Sequence, residues 1–132
     1  MPTKFGLFLT ILLLVLQMGC LTGEIGRPRV DIAFVNHSST DLKAVSARFG
    51  QYECGVGHLG RTFLAGYGDF RHPITNDVEV RWEAKGTLKV ERLDLRKMYP
   101  HGRAGRLTFT ITDKGVSASF AAESPSRYYL GT

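Results

Sequence analysis

Apolar residues recur at every second position along most of this chain, and this spacing limits what the chain can fold into. The clearest stretch runs from Val78 to Lys85, where Val78, Val80, Trp82 and Ala84 alternate with charged residues. Successive residues of a strand point to opposite faces, so the pattern predicts an antiparallel strand with one buried and one solvated face. Trp82 lies in the buried phase of this strand, and we expect it at the centre of the core.

The same period marks further strands between residues 30 and 120. Val30, Ile32 and Phe34 form an early alternating run, and other runs cover 42–49, 52–56 and 61–67. Residues 107–120 predict a hairpin, with Gly115 as the bulge residue of a three-residue loop. No convincing amphipathic helix is present, although 93–99 could form one helical turn. About seven or eight short strands predict an all-β fold, a small antiparallel β-sandwich of the immunoglobulin-like type, with a small β-barrel as the alternative.

One stretch breaks the alternation after the clearest strand. Leu88 and Val90 continue its inward phase, whereas Leu93 and Leu95 have the opposite parity. A slip of one residue turns every following side chain to the other face. The slip predicts a bulge near residues 91–92, or the start of a new element.

The first twenty residues differ in character from the rest. Lys4 precedes the apolar run Leu7 to Leu16, and Gly19 and Cys20 follow that run. An export signal has a short basic N-terminal segment, an apolar stretch of about ten residues and a small residue at the cleavage point, and this segment has all three. A membrane-spanning helix needs about 20 apolar residues, so this run is short for one. The Gly-Cys pair resembles the lipobox of bacterial lipoproteins.

The resemblance implies that Cys20 carries lipid, palmitate included, and becomes the first residue of the mature chain. Residues 1–19 are then a lipoprotein-type signal peptide, 20–29 a tether, 30–120 the β-sandwich domain and 121–132 a flexible C-terminal tail. The domain would hang from a membrane of the cell envelope, facing the periplasm or the exterior. Two alternatives stay open: ordinary cleavage to a soluble periplasmic or secreted protein, and an uncleaved anchor over residues 5–23.

The mature chain is mildly basic. The sequence has 17 Lys and Arg against 12 Asp and Glu, and loss of Lys4 with the signal leaves 16 against 12. Such a charge suits anionic lipid or glycan, and nucleic acid is not an expected partner of an exported protein. Five basic residues gather between two predicted strands: Arg92, Arg96, Lys97, Arg103 and Arg106. They form a candidate patch for an anionic lipid, a glycan or an acidic envelope protein, and the alternative is a solvated loop that guards a sheet edge.

Cys54 is the second of the two cysteines. With Cys20 lipidated it has no thiol partner, and a lone Cys on a strand is most simply a small buried hydrophobe. His58 lies four residues on and would share its face in a regular strand, which makes the pair a weak copper or zinc candidate. Gly55 and Gly57 predict bulges that disturb this spacing. We therefore expect no metal and no cofactor.

The sequence offers no strong catalytic arrangement. A Gly-x-Ser-x-Gly motif is absent, and residues 38–41 are better explained as turn residues whose side chains cap backbone amides. Asp69 and Asp77 flank Arg71 and His72 and could be imagined as an acid–base site. Short polar loops usually serve only to connect strands, so we expect that the protein is not an enzyme.

Three hypotheses of function follow. The leading one is a membrane-anchored lipoprotein that acts as a non-enzymatic binding or structural module in the cell envelope. The second is an inhibitor or immunity-type lipoprotein that blocks a toxin or lytic enzyme with a loop such as residues 68–76. The third is a metal-handling periplasmic protein.

Overall fold

A computed structural model describes residues 28–123, which form eight strands and no helix. The strands are β1 (Val30–Asn36), β2 (Leu42–Phe49), β3 (Tyr52–Leu59), β4 (Leu64–Phe70), β5 (Asp77–Ala84), β6 (Thr87–Asp94), β7 (Gly105–Thr112) and β8 (Gly115–Ala122). Sheet A has the order β4-β1-β7-β8, and sheet B has the order β3-β2-β5-β6. The predicted all-β sandwich is confirmed, whereas its assignment to the immunoglobulin-like type stays a prediction. The predicted signal peptide, nearly all of the tether and residues 124–132 lie outside the described residues.

Sheet A contains a parallel pairing that the alternation did not predict. β1 pairs with β7 in parallel from Val30 opposite Gly105 to Asn36 opposite Ile111, and its other edge pairs antiparallel with β4. The other pairings of both sheets are antiparallel. Each strand runs opposite to the one before it, so two odd-numbered strands that become neighbours must be parallel. β1 is thereby a central strand, and most of its residues are buried.

The core lies between the inner faces of the two sheets. Trp82 is 3% exposed, which confirms its expected place in the core. Phe109 connects the two layers, because its ring lies 5.7 Å from the ring of Phe34 in the same sheet and 6.2 Å from that of Phe49 in the other. Aromatic pairs at such spacings add to the free energy gained from burying their area.

The strand β6 has no bulge, so the predicted slip near residues 91–92 is wrong. β5 and β6 are joined by residues 85–86, both at positive φ, and pair without a register shift along all of β6. Two residues at positive φ form the tight turn whose twist suits a hairpin. Leu93 lies opposite the buried Val78 and shares its inward face, whereas Leu88 and Val90 are exposed on the outer face. The prediction failed because the apolar residues of this edge strand lie on both faces.

The hairpin of β7 and β8 is confirmed, but its loop is shorter than predicted. Thr112 pairs with Gly115, so the loop contains two residues. Gly115 belongs to β8 and has a φ of 142°. A Cβ at this position would lie 2.7 Å from Glu91 Oε2, and the same oxygen accepts a hydrogen bond of 3.0 Å from the N–H of Val116. Glu91 thus satisfies one donor on the edge of sheet A from a strand of sheet B.

The strand directions give the sandwich two distinct ends. Val30 lies beside Phe70 and Gly105, and Gly105 lies beside Ala122, so the chain enters and leaves the domain at the same end. We call this the terminal end, and it contains residues 28–29, 50–51, 71–76, 95–104 and 123. The opposite end, called the distal end, contains the connections 37–41, 60–63, 85–86 and 113–114.

A buried asparagine organises the distal end. Asn36 is fully buried, and its Nδ2 donates to the carbonyl oxygens of Thr40 and Leu59 over 2.9 and 3.0 Å. Its Oδ1 accepts from the N–H and the hydroxyl of Ser38 over 2.9 and 2.6 Å. These bonds close the β1–β2 turn and fasten it to the end of β3. The turn chemistry predicted for residues 38–41 is confirmed, since the Asp41 carboxylate also accepts from a backbone N–H.

Candidate binding surfaces

The five basic residues predicted to bind an anion are all exposed, but they lie on three parts of the domain. Arg92 is opposite Glu79 on the outer face of sheet B. Arg106 is between two buried residues of β7, so it lies on the outer face of sheet A. Arg96, Lys97 and Arg103 belong to the connection 95–104 at the terminal end. The structure does not bring the five together into one patch, because this connection crosses from sheet B to sheet A.

Two of the five are held by carboxylates. Arg96 Nη2 lies 2.6 Å from Asp94 Oδ2, and the hydrogen bonds from Arg96 lower the pKa of Asp94 to about 2. Arg92 Nε lies 3.6 Å from Glu79 Oε2. A cation that is already paired with a carboxylate attracts an added anion less strongly. Arg96 and Arg92 therefore contribute less to an anion-binding site than unpaired cations would.

The outer face of sheet B carries a row of alternating charges. Glu53, Arg48, Glu79 and Arg92 lie opposite one another across the four strands. The hydrogen bond of 2.6 Å from Arg81, with smaller effects of its charge and of Arg92, lowers the pKa of Glu79. A shallow open cleft of about 550 Å³ lies along this row. Opposite charges on neighbouring strands stabilise a sheet, and their balance gives the cleft little net attraction for an anion.

The outer face of sheet A differs from that of sheet B. Across its middle, the residues that pair from strand to strand carry no charged side chain. Pairing places hydroxyl residues of β7 opposite hydroxyl residues of β8: Thr108 with Ser119 and Thr110 with Ser117. Charge returns only near the terminal end, at Asp31 and Arg106, which lie opposite each other. The N–H of Asp69 donates to Asp31 over 2.8 Å, and this bond is the main cause of the lowered pKa of Asp31.

The structure separates Cys54 from His58. Cys54 is 3% exposed on the inner face, and burial raises its pKa to about 12, which keeps the thiol protonated and unreactive. The predicted bulges are present, because the pairing of β2 with β3 shifts twice and Gly57 has a φ of 69°. After these shifts Leu59 is the next buried residue, and His58 is exposed. Within residues 28–123 no group of three potential ligands is placed to hold a metal ion.

Three of the four residues considered as an acid–base site, Asp69, Arg71 and His72, have structural partners. Asp69 Oδ2 lies 3.0 Å from Arg71 Nε in an exposed ion pair. The ring of His72 stacks flat on that of Tyr52, with centroids 3.9 Å apart and an interplanar angle of 6°. The stacking of His72 on Tyr52 fastens the loop after β4 to the start of β3.

An exposed apolar pair at the distal end was missed by the sequence analysis. Phe63 is 67% exposed and Leu64 is 57% exposed, at the junction of the β3–β4 connection with β4. The predicted strand over 61–67 included both residues, and nothing in the pattern distinguished them from core residues. Exposed aromatic side chains of this kind anchor many protein interfaces.

The described part of the chain, residues 28–123, contains no helix that is long and apolar enough to cross a membrane. Cys20, the predicted lipid attachment residue, lies outside that part.

Comparisons with known proteins bear on the fold. No protein-family model matches the chain, and no curated protein matches it. A solved NMR structure of a protein from Eubacterium rectale is similar, with a TM-score of 0.50 and 13% sequence identity. The match covers 76% of this chain and 95% of the other. At this identity the likeness shows a shared fold alone.

Proposed function

We propose that the protein is an exported lipoprotein, anchored through Cys20 to a membrane of the cell envelope, whose sandwich acts as a non-enzymatic binding module. The observation that carries the proposal is the export signal ending in Gly19-Cys20, with nine residues between Cys20 and the first strand, which begins at Val30. Nine fully extended residues span at most about 30 Å. A lipid on Cys20 would therefore hold the domain close to the bilayer, and two or more acyl chains suffice for stable anchoring.

The distal end is the surface we assign to an envelope partner. It lies opposite the end at which the tether joins, and it exposes Phe63 and Leu64. An aromatic side chain beside an aliphatic one can fill a pocket on a partner protein and account for much of the binding free energy. Because the anchor raises the local concentration of the domain, even a weak contact there would be effective.

The anchor is tested by comparing the two cysteines. Full-length protein and the variants Cys20→Ser and Cys54→Ser are expressed in a bacterium and extracted with detergent. The intact mass of each is then measured by mass spectrometry. We expect the wild type and Cys54→Ser to partition into detergent and to carry the mass of acyl chains. Cys20→Ser should lose both properties. If Cys20→Ser matures to the same size and partitions in the same way, the proposed anchor is wrong.

The binding surface is tested by capture from envelope extracts. A Phe63→Ser, Leu64→Ser protein is compared with Leu88→Ser, Val90→Ser, which removes a slightly less exposed apolar pair from β6. We expect the distal pair to be needed for capture and the β6 pair to be dispensable. Recovery of an envelope component supports the binding module, whereas recovery of a toxin or lytic enzyme favours the inhibitor hypothesis. Equal capture by both variants would refute the assignment of the distal end.

A further inference from the structure

The connection 95–104 is fastened beside the point where the chain enters the domain. The N–H of Gly105 donates to the carbonyl of Arg29 over 3.1 Å, and the N–H of Glu123 donates to the carbonyl of Ala104 over 2.9 Å. The end of this connection therefore lies between the residue that precedes β1 and the residue that follows β8. Whatever holds the tether also holds this connection nearby.

The connection is itself well supported. Its Leu95 donates through N–H to the carbonyl of Asn76 over 2.7 Å and accepts from the N–H of Tyr99, which closes a single helical turn. The ring of Tyr99 is buried and meets the ring of Phe120 edge-on at 5.2 Å. His101 Nε2 lies 2.8 Å from Asn76 Oδ1. These contacts fasten the connection, from which Lys97 and Arg103 project, to the sandwich.

Three positive charges at or beside this connection form no close ion pair within residues 28–123, although the charge of Arg106 acts on Asp31 and that of Lys97 acts on Asp94. Lys97, Arg103 and Arg106 are exposed and form no ion pair there. The sequence contains no acidic residue from 95 to 112. Three carboxylates near this end are already in ion pairs: Asp31 with Arg29, Asp69 with Arg71, and Asp94 with Arg96. No carboxylate forms a close ion pair with these three cations, so their side chains can still contact an external anion.

We propose that the terminal end docks, through Lys97, Arg103 and Arg106, onto the anionic phospholipid headgroups of the membrane that holds Cys20. This inference rests on the proposed lipid anchor, because the short tether brings this end of the domain within reach of the bilayer. A Lys or Arg near an anionic membrane surface changes the ratio of docked to undocked protein about fivefold. Three such charges fix the orientation of a domain that the lipid alone would leave free to tumble, with the distal end directed away from the membrane.

The experiment reads the orientation of the full-length lipoprotein on vesicles. In a Cys54→Ala background a fluorophore is attached either at the terminal end, through Pro100→Cys, or at the distal end, through Lys114→Cys. Each protein is reconstituted on vesicles of phosphatidylcholine alone, or of an equimolar mixture with phosphatidylglycerol, that carry a headgroup quencher. We expect strong quenching at position 100 only on the anionic vesicles, weakened by salt, and little quenching at position 114 on either.

Two charge variants with the same change in net charge complete the test. Lys97→Gln, Arg103→Gln, Arg106→Gln should abolish the anionic preference at position 100. Lys85→Gln, Lys89→Gln, Lys114→Gln removes three charges near the distal end instead and should leave that preference intact, and fluorescence of the buried Trp82 confirms that both variants are folded. Protein that does not float with either vesicle overturns the anchor and with it the proposed function. Protein that floats, but whose quenching is the same on both vesicles or in both variants, overturns the docking alone.

Discussion

The substitution Asn36→Ala tests whether the distal end depends on one buried amide. Its Nδ2 and Oδ1 together make four hydrogen bonds, to Ser38, Thr40 and Leu59. Alanine removes both atoms. The N–H of Ser38 and the carbonyl of Leu59 then lose a partner inside the protein, whereas the carbonyl of Thr40 still accepts from the Ser38 hydroxyl over 2.9 Å.

The expected cost follows from these two groups. A buried donor or acceptor left without a partner costs about 1–3 kcal/mol, so two of them reduce the free energy of unfolding by about 2–6 kcal/mol. A domain of this size has a total free energy of unfolding of about 5–14 kcal/mol. The substitution would therefore remove a large share of the stability and lower Tm by about 10–40 °C.

Urea unfolding followed by fluorescence measures the effect, because Trp82 is the only tryptophan and is buried. Ser39→Ala is the control from the same turn, since it removes an exposed hydroxyl that lies 3.0 Å from Asp113. It should cost less than about 1 kcal/mol. A loss below about 1 kcal/mol for Asn36→Ala, or equal losses for the two variants, would refute the argument that the buried amide holds the turn.

Three further outcomes are expected from the local geometry. Gly105→Ala should cost about 1–3 kcal/mol in urea unfolding, because its Cβ would overlap the Ala121 carbonyl oxygen. The Cys54 thiol, with its pKa raised to about 12, should resist dithionitrobenzoate at pH 8 in the folded protein and react once urea unfolds it. NMR titration should give Asp94 a pKa of about 2, and Arg96→Gln should move it toward 3.8. Because the folded-state pKa is lowered, the stabilisation from this pair is present above pH 4 and lost as the pH falls toward 2, so wild type and Arg96→Gln should converge in stability there.

The fold was most predictable where alternation ran unbroken on a strand with one buried face. The buried phases of β5 and β7 are both confirmed, since burial and hydrophobicity coincide on them. β6 is an edge strand, and Leu88 and Val90 lie on its solvated face, where an apolar side chain costs little. Hydropathy therefore could not show which side chains of β6 point toward the core. The two-residue turn before β6 sets its register against β5 and so determines which ones do.

The long-range pairings could not be predicted for a different reason. The parallel contact of β1 with β7 joins residues about 75 positions apart, and no local pattern records which strands become neighbours. Asn36 shows the same limit on a smaller scale. Its sequence context is a polar turn, and its burial depends on the carbonyl of Leu59, 23 residues away.

The five basic residues were predicted to form one patch because they are close in sequence. The strand arrangement places them on different parts of the domain. Arg92 and Arg106 are close to the same connection, yet one ends on sheet B and the other on sheet A. Sequence alone could not show this, because the connection between them crosses the sandwich. The exposed Phe63 was missed because a hydrophobic residue in a predicted strand is normally assigned to the core.

An even number of strands, each reversing the direction of the last, returns the chain to the end at which it entered. The termini of the domain and the longest connection, 95–104, thus share the terminal end, while four short connections form the other. Under the proposed anchor this topology directs the short connections away from the membrane. A bulky fusion after Glu123 would then hinder docking on the bilayer, whereas an insertion between Lys85 and Gly86 would obstruct only a partner approaching from the far side.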